Sequence, residues 1–441
     1  MKILADLHLH SKFSRATSGE MKPAGIAEMA EKKGLQLVAT GDFTHPVYFS
    51  QLQSELIEVQ EGIYKYKNNQ SPVFFILSTE ISSIYSQNGK GYRIHNLVLM
   101  PNFASVEKLN ERLSRIGNLT SDGRPILKLP SPDLVKIVLD IDERGLVIPA
   151  HIWTPWFSMF GSSSGFNAIE ECFKDQTKYI YAYETGLSSD PAMNWRVSQL
   201  DNLALISNGD SHSLGNLMRE ATEFDLPLLT FSNIRRALIN SSPNSLQIKN
   251  PPFSTPRVEN GLGEEKEEKI SKITQTIEFY PEEGKYHFDG HRACGITLKP
   301  SESIKNKNIC PKCKRPLTIG VLNRVEQLAD RAEGGRPENI VPFQSLVPLE
   351  TVIAEALGTS RNSVKVKAEY ENLVNELKNE YYILSEANFA EIEKVAGSAI
   401  AQYVIASRNG ELDIFPGYDG VFGIVKIKPK QNNKIEQEVL F

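Results

Sequence analysis

Short apolar stretches recur through the first half of the chain, at 3–5, 35–39, 73–77, 96–100, 146–150, 180–183 and 203–207. Each is too short for a helix, and most are bounded by turn-forming or charged residues, so they predict buried strands. Between some of them lie segments with helical spacing. One runs from 23 to 33, with Pro23 near its start and Gly34 closing it. Another covers 132–144. Alternation of strand and helix predicts an α/β domain with a mainly parallel sheet or barrel over residues 1–249. The pattern changes after that. Pro251-Pro252 and a charged run at 264–269 predict a linker over 250–278. A cysteine-bearing module is expected at 279–335 and a helical domain at 336–430, with periodicity at 349–357 and 373–381 and a turn at 416–420. Residues 431–441 read as a tail, in part a cleavage tag.

Composition adds bounds. Of 441 residues, 40% are hydrophobic and 23% charged, as in ordinary globular domains. No apolar run is long enough to span a membrane, and no signal-peptide pattern opens the chain, so a cytoplasmic protein without a membrane partner is expected. The net charge of −5 gives no global attraction to nucleic acid. Residues 285–336 depart from this, with eleven Lys and Arg against five Asp and Glu, a net of +6. A basic module of this kind can contact phosphates, with Arg292 and Arg324 as candidates.

The placement of histidines and carboxylates carries the chemistry. His8 and His10 follow the first strand at i and i+2, so both rings can point to one side. Asp42 follows the second strand, Glu80 the third, His95 opens the next, His151 ends another, and Asp210 with His212 follows the last. Side chains at successive strand ends converge at the mouth of a barrel. Mixed imidazole and carboxylate ligands suit two or three divalent cations such as Zn, Mn or Mg, with Glu80 able to bridge. Asp210, His212 and Glu80 are the candidates for direct catalytic roles. At the second strand either Asp42 or His45 could serve, and Asp42 lies nearer the strand end. A lone histidine there is more often a satisfied polar residue than a ligand; the ordered set is what argues for metal.

A second group has its own spacing. His291-x-x-Cys294, fifteen residues, then Cys310-x-x-Cys313 supplies two pairs from two tight turns, which is the template of a structural zinc site. His287 competes with His291 but is less well spaced. Cys172 reads as a packing residue.

The strand-end set resembles the PHP family, named for polymerase and histidinol phosphatase. The resemblance implies a distorted (β/α)7 barrel and, usually, three metals. This chain departs from the family pattern at Ser14-Arg15, where a histidine is common, and at Gly41-Asp42-Phe43-Thr44-His45. The stretches 40–46, 286–292, 323–331, 347–349 and 416–420 also resemble the endonuclease Q family, which joins a PHP barrel to a zinc finger and a helical region. That resemblance implies a DNA repair endonuclease cutting 5′ to hypoxanthine, uracil or xanthine and at abasic sites, leaving 3′-hydroxyl and 5′-phosphate ends. Its partner would be damaged DNA with the lesion base flipped out; no residue pattern decides whether a sliding clamp assists. Trp153, Trp156 and Phe157, just past His151, could stack such a base. Two other functions compete. A small-molecule phosphatase of the histidinol-phosphate kind would need neither the zinc module nor the helical tail. A non-catalytic zinc-finger DNA-binding protein would not need a nearly complete ligand set.

Overall fold

A computed structural model describes residues 1–68, 70–241 and 270–429. The chain divides into two compact units, Met1–Ser345 with Pro416–Gly423, and Leu346–Phe415 with Ile424–Phe441. Most of the expected linker (250–269) and the expected tail lie outside the described residues. No helix among the described residues is long and apolar enough to cross a membrane.

The first unit is a distorted α/β barrel. Its strands are β1 (Lys2–Asp6), β2 (Leu37–Ala39), β3 (Leu56–Gln60), β4 (Ile63–Tyr66), β5 (Phe74–Ile76), β6 (Ser78–Gln87), β7 (Lys90–Leu99), β8 (Ile126–Leu127), β9 (Leu146–Pro149), β10 (Ala182–Glu184), β11 (Ala204–Ile206) and β12 (Ala221–Asp225). β1, β2 and β5 pair in parallel, as do β10 and β11. Main-chain bonds close the ring: Met100 N donates to Leu77, Ile152 N to Glu184, and His10 N to Ser211. One residue after another from these strands fills the interior, among them Ala5, Leu7, Leu37, Ile76, Leu97, Ile148, Ala182 and Ile206. Burial of such side chains, each worth about 1.5–3 kcal/mol for the larger ones, holds the barrel.

Two features depart from a plain parallel barrel. β6 and β7 form a long antiparallel hairpin, and β9 runs antiparallel to β7. Glu80 and His95 therefore sit within strands, not at their ends. The Asn88-Gly89 turn, with φ of 52° and 78°, supplies the left-handed pair that such a hairpin needs. The second departure concerns the expected boundaries. β13 (Lys272–Glu278), from the interval read as linker, pairs with β12. After β14 (Asp289–His291) and β15 (Ile296–Leu298), β16 (Phe343–Ser345) pairs with β13. Thr276, Ile277 and Glu278 of β13 are buried, which the neighbouring charge run concealed.

The second unit is helical, with helices Leu349–Ala356, Val364–Glu376, Glu380–Ser385, Phe389–Ala396 and Ser398–Arg408. One hairpin, β17 (Leu412–Phe415) with β18 (Ile424–Ile427), completes it.

Candidate metal centre

The strand ends turn sharply where the site begins. Asp42, His151 and Asp210 all have positive φ, at 46°, 30° and 43°. Non-glycine residues adopt this region at a cost, and do so most often at functional sites. Gly186, φ 66°, allows the chain to pass so close to His151 that any side chain there would strike its Cβ.

Six of the eight residues expected as ligands form two groups whose ligand atoms lie within 4.8 Å of one another: His8, His10 and Asp210, then Glu80, His95 and His151. Glu80 stands between them. Its Oε1 is 2.7 Å from His95 Nδ1 and 3.0 Å from His151 Nε2, while Oε2 is 3.3 Å from His10 Nε2. Asp210 Oδ1 lies 3.1 Å from His10 Nε2 and 3.8 Å from His8 Nε2. The Nε2 atoms of His8 and His10 and Oδ1 of Asp210 are buried and crowd together, yet none makes a hydrogen bond of good geometry. Three convergent buried polar atoms left in this way are costly unless a cation satisfies them. Their donor types fit a hard or borderline divalent ion.

Each of the two histidines is held from behind. His8 Nδ1 lies 3.0 and 3.1 Å from the oxygens of Glu184, which also accepts from His151 N (2.8 Å) and Asn208 Nδ2 (2.9 Å). His10 Nδ1 lies 3.1 Å from Asp42 Oδ1. The other Asp42 oxygen accepts from Ser11 N, Ser11 Oγ and Ser14 Oγ. Such carboxylate backing fixes which ring nitrogen faces the metal. Burial alone would depress the His8 pKa, but Glu184 and Glu80 outweigh it and hold the ring well above the ordinary value. The same balance, with Asp42 leading the opposition to burial, raises His10. A field that favours buried positive charge this strongly suits bound cations.

Several expectations are relocated. Asp42, expected at the metals, is spent on His10, Ser11 and Ser14, one layer back. His45 stacks on Phe13 at 4.3 Å and is outside both groups. His212 belongs to neither group; its ring packs 4.4 Å from that of His10, and its Nδ1 is satisfied by the Asp210 carbonyl. Ser14, at the departure from the family pattern, ties Asp42 in place. Glu184 and Arg124 went unforeseen. Glu184 ends β10 and obeys the same strand-end rule as the others, so the signal was available. Arg124, which donates to Glu80 Oε2 at 3.0 Å, comes from a loop with no periodic signal.

The aromatic loop after His151 also separates by role. Trp153 is fully buried, with its indole N–H on Asn194 Oδ1 at 2.7 Å, so it packs the core and is not a stacking surface. Phe157 lies against His95 at 4.9 Å, and Trp156 is 42% exposed. Arg324 is buried, and its guanidinium donates to the carbonyls of Phe160 and Phe166 and to Asn167 Oδ1. It clamps this loop, and its Nη1 also donates to Gln327 Oε1 at 3.2 Å. Arg292 is exposed.

His291, Cys294, Cys310 and Cys313 form the third ligand group, with Cys313 Sγ 3.4 Å from His291 Nδ1. All four cysteines are free thiols, and Cys172 is buried in the core. His287 is buried elsewhere, its pKa pushed down to about 4 chiefly by burial. The tetrad matches a closed structural zinc site.

Barrel and clusters together define an α/β barrel with candidate metal-binding groups and a Cys/His module. Over residues 348–411 it matches the family model described as MJ0043 C-terminal domain. It is 28% identical to YqxK of Bacillus subtilis over 97% of this chain and all of that protein. The lesion-specific endonuclease PfuEndoQ of Pyrococcus furiosus has the same fold at a TM-score of 0.80, with 28% identity, covering 97% of this chain and 96% of that one. A structure of endonuclease Q in complex with a 27-mer duplex bearing an abasic lesion matches equally well, at 0.80 and 28%, over 99% of each chain. Over nearly its whole length the chain therefore resembles endonuclease Q in fold.

Proposed function

We propose that this chain is a metal-dependent DNA repair endonuclease. Its substrate is duplex DNA in which a base has been deaminated to hypoxanthine, uracil or xanthine, or lost. It hydrolyses the phosphodiester 5′ to the lesion, leaving 3′-hydroxyl and 5′-phosphate ends. The observation that carries this reading is the set of three crowded buried atoms converging beside Glu80, in a chain that matches endonuclease Q from end to end. A small phosphatase would not require that full-length likeness.

His8, His10 and Asp210 would hold one cation and Glu80, His95 and His151 a second, with Glu80 between them. Cations there supply Lewis acidity toward a phosphoryl oxygen and lower the pKa of a water. The protein groups do the rest. Asp210 and His212 orient the nucleophile. Arg124 neutralises part of the charge that accumulates on the phosphoryl oxygens. Glu184 and Asp42 keep the Nε2 atoms of His8 and His10 facing inward. The lesion nucleotide is drawn out of the duplex, which costs least where pairing is already lost. The zinc tetrad holds its module in shape.

Labelled duplexes carrying deoxyinosine, deoxyuridine, an abasic site or no lesion, incubated with Mg²⁺ or Mn²⁺, test this directly. Incision one bond 5′ to the lesion is expected, with none on the intact duplex. Metal-loaded protein that leaves all lesions uncut while hydrolysing a phosphomonoester would overturn the reading.

A further inference from the structure

Beyond the metals, a line of cations and aromatic faces leads away from the site. Arg93 precedes His95 by two positions on β7, so the two side chains share a face. Its guanidinium carbon lies 5.5 Å from the Phe157 ring centre, and that ring in turn packs on His95. Arg93 also lines a cleft of about 740 Å³ with Lys128, Tyr85, Tyr92 and Trp156, and no carboxylate is among the lining residues. On its far side Trp156 meets Tyr286 edge to face at 5.6 Å. Next to Tyr286, the Lys285 ammonium sits 4.4 Å over the ring of Phe422, which is 66% exposed. Arg292 Nη1 and the Tyr286 hydroxyl both lie beside Gly420, 3.5 and 3.8 Å from where a side chain there would begin.

Large rings left in water beside Lys and Arg, in a chain of net charge −5, call for an occupant of matching chemistry. Alternating π faces and cations are what a strand of nucleic acid engages: bases stack on the rings while phosphates meet the charges. A protein partner would be expected to find apolar aliphatic surface as well, and the cleft offers only Ile84 and Pro130.

We propose that this row, from Arg93 and Lys128 through Trp156 and Tyr286 to Lys285 and Phe422, is the track that holds one DNA strand between the metal centre and the zinc module. The inference rests on the nuclease reading and adds to it the route of the strand. Bases flanking the lesion stack on Trp156 and Phe422, while Arg93, Lys128 and Lys285 take the phosphates.

The test measures fluorescence anisotropy of a labelled single strand and of an abasic duplex on the full-length, metal-loaded protein. An Asp210→Asn background prevents cutting. Trp156→Ala and Phe422→Ala are each expected to weaken binding roughly tenfold. Arg93→Glu with Lys128→Glu should weaken it further and flatten the dependence of log K on log salt by about 0.7 for each phosphate no longer neutralised. Lys108→Glu, on the helix Phe103–Ser114, is the control and should leave the salt slope in place. Zinc content and melting temperature confirm that each variant is folded. Parent-level affinity and salt slope in the track variants, with a parent that binds lesion DNA, would overturn the track and leave the nuclease reading standing. A parent that binds neither DNA would remove the nuclease reading, and the track with it.

Discussion

Replacing Glu184 by Gln isolates the support of the metal centre from its ligands. The carboxylate serves three donors at once: His8 Nδ1, the amide of His151 and the side chain of Asn208, all at 2.8–3.1 Å. Glutamine has nearly the same shape but offers one oxygen and one NH₂. If the NH₂ takes the Oε1 position it faces Asn208 and His8; if it takes the Oε2 position it faces His151 N. Either way a donor meets a donor in a buried site, at a cost of about 1–3 kcal/mol. His8 then loses the acceptor that fixes its tautomer. Loss of such a supporting partner typically weakens metal binding about 10–100-fold, a range of about 1.4–2.8 kcal/mol. The assay is a titration of the barrel metals in chelator-buffered Mn²⁺ or Zn²⁺, followed by incision of an abasic duplex across the same free-metal range. The His291/Cys294/Cys310/Cys313 tetrad, which Glu184 does not touch, serves as the internal control. The midpoint is expected to rise 10–100-fold, with activity largely restored at saturating metal. An unshifted midpoint would refute the assignment, as would loss of incision that no metal concentration restores.

Other outcomes follow from the same geometry. Asp210→Asn should lower incision by more than the roughly 10–100-fold cost of a supporting residue while lesion binding, measured by gel shift, persists; retained cutting would remove Asp210 from its role. Arg324→Met strips two buried carbonyls, of Phe160 and Phe166, of their donor, and should destabilise the first unit by about 3 kcal/mol, seen as a melting point several degrees lower and faster proteolysis in the 153–167 loop. Burial pushes the Glu278 pKa up to about 8 from its ordinary 4.5, and Glu220 beside it is raised well above as well. Folding therefore retains protons that the unfolded chain releases, so this contribution is complete below about pH 4.5 and is lost as pH rises through about 8. Thermal melts of metal-loaded protein should show Glu278→Gln gaining on wild type, by a few kcal/mol at most, as pH climbs from about 6.5 to about 8.5; parallel curves would refute the shift.

Part of this centre is legible in the sequence because strand ends in a barrel share one mouth. Residues at 8, 10, 151 and 210 lie together just past their strands, while Glu80 and His95 join them from within a hairpin; the helix Pro23–Lys33 begins and ends where Pro23 and Gly34 signal. What stayed hidden has physical reasons. Ser78–Gln87 is polar along much of its length, so no apolar run marks β6, although Asn88-Gly89 announces its hairpin. The role of Asp42 depended on Ser11 and Ser14 reaching it first, a competition that spacing cannot rank. Trp153 and Trp156 are three residues apart in one loop, yet Asn194 draws the first inward and leaves the second in water. Arg324 carried the charge of a phosphate ligand, but three inward-facing oxygens claimed it.

Residues 416–423 belong to the first unit although they follow it by seventy positions. There Tyr418 covers Gly290, Asp419 binds Arg292 N and Thr318 Oγ1, and Gly417 O receives Phe288 N. During synthesis the zinc tetrad emerges from the ribosome well before this segment does. The nascent module must wait, with its Gly290 face bare, until residue 423 has been made. A fragment ending at 345 would leave the same face uncovered permanently, without the bonds that Gly417 and Asp419 supply.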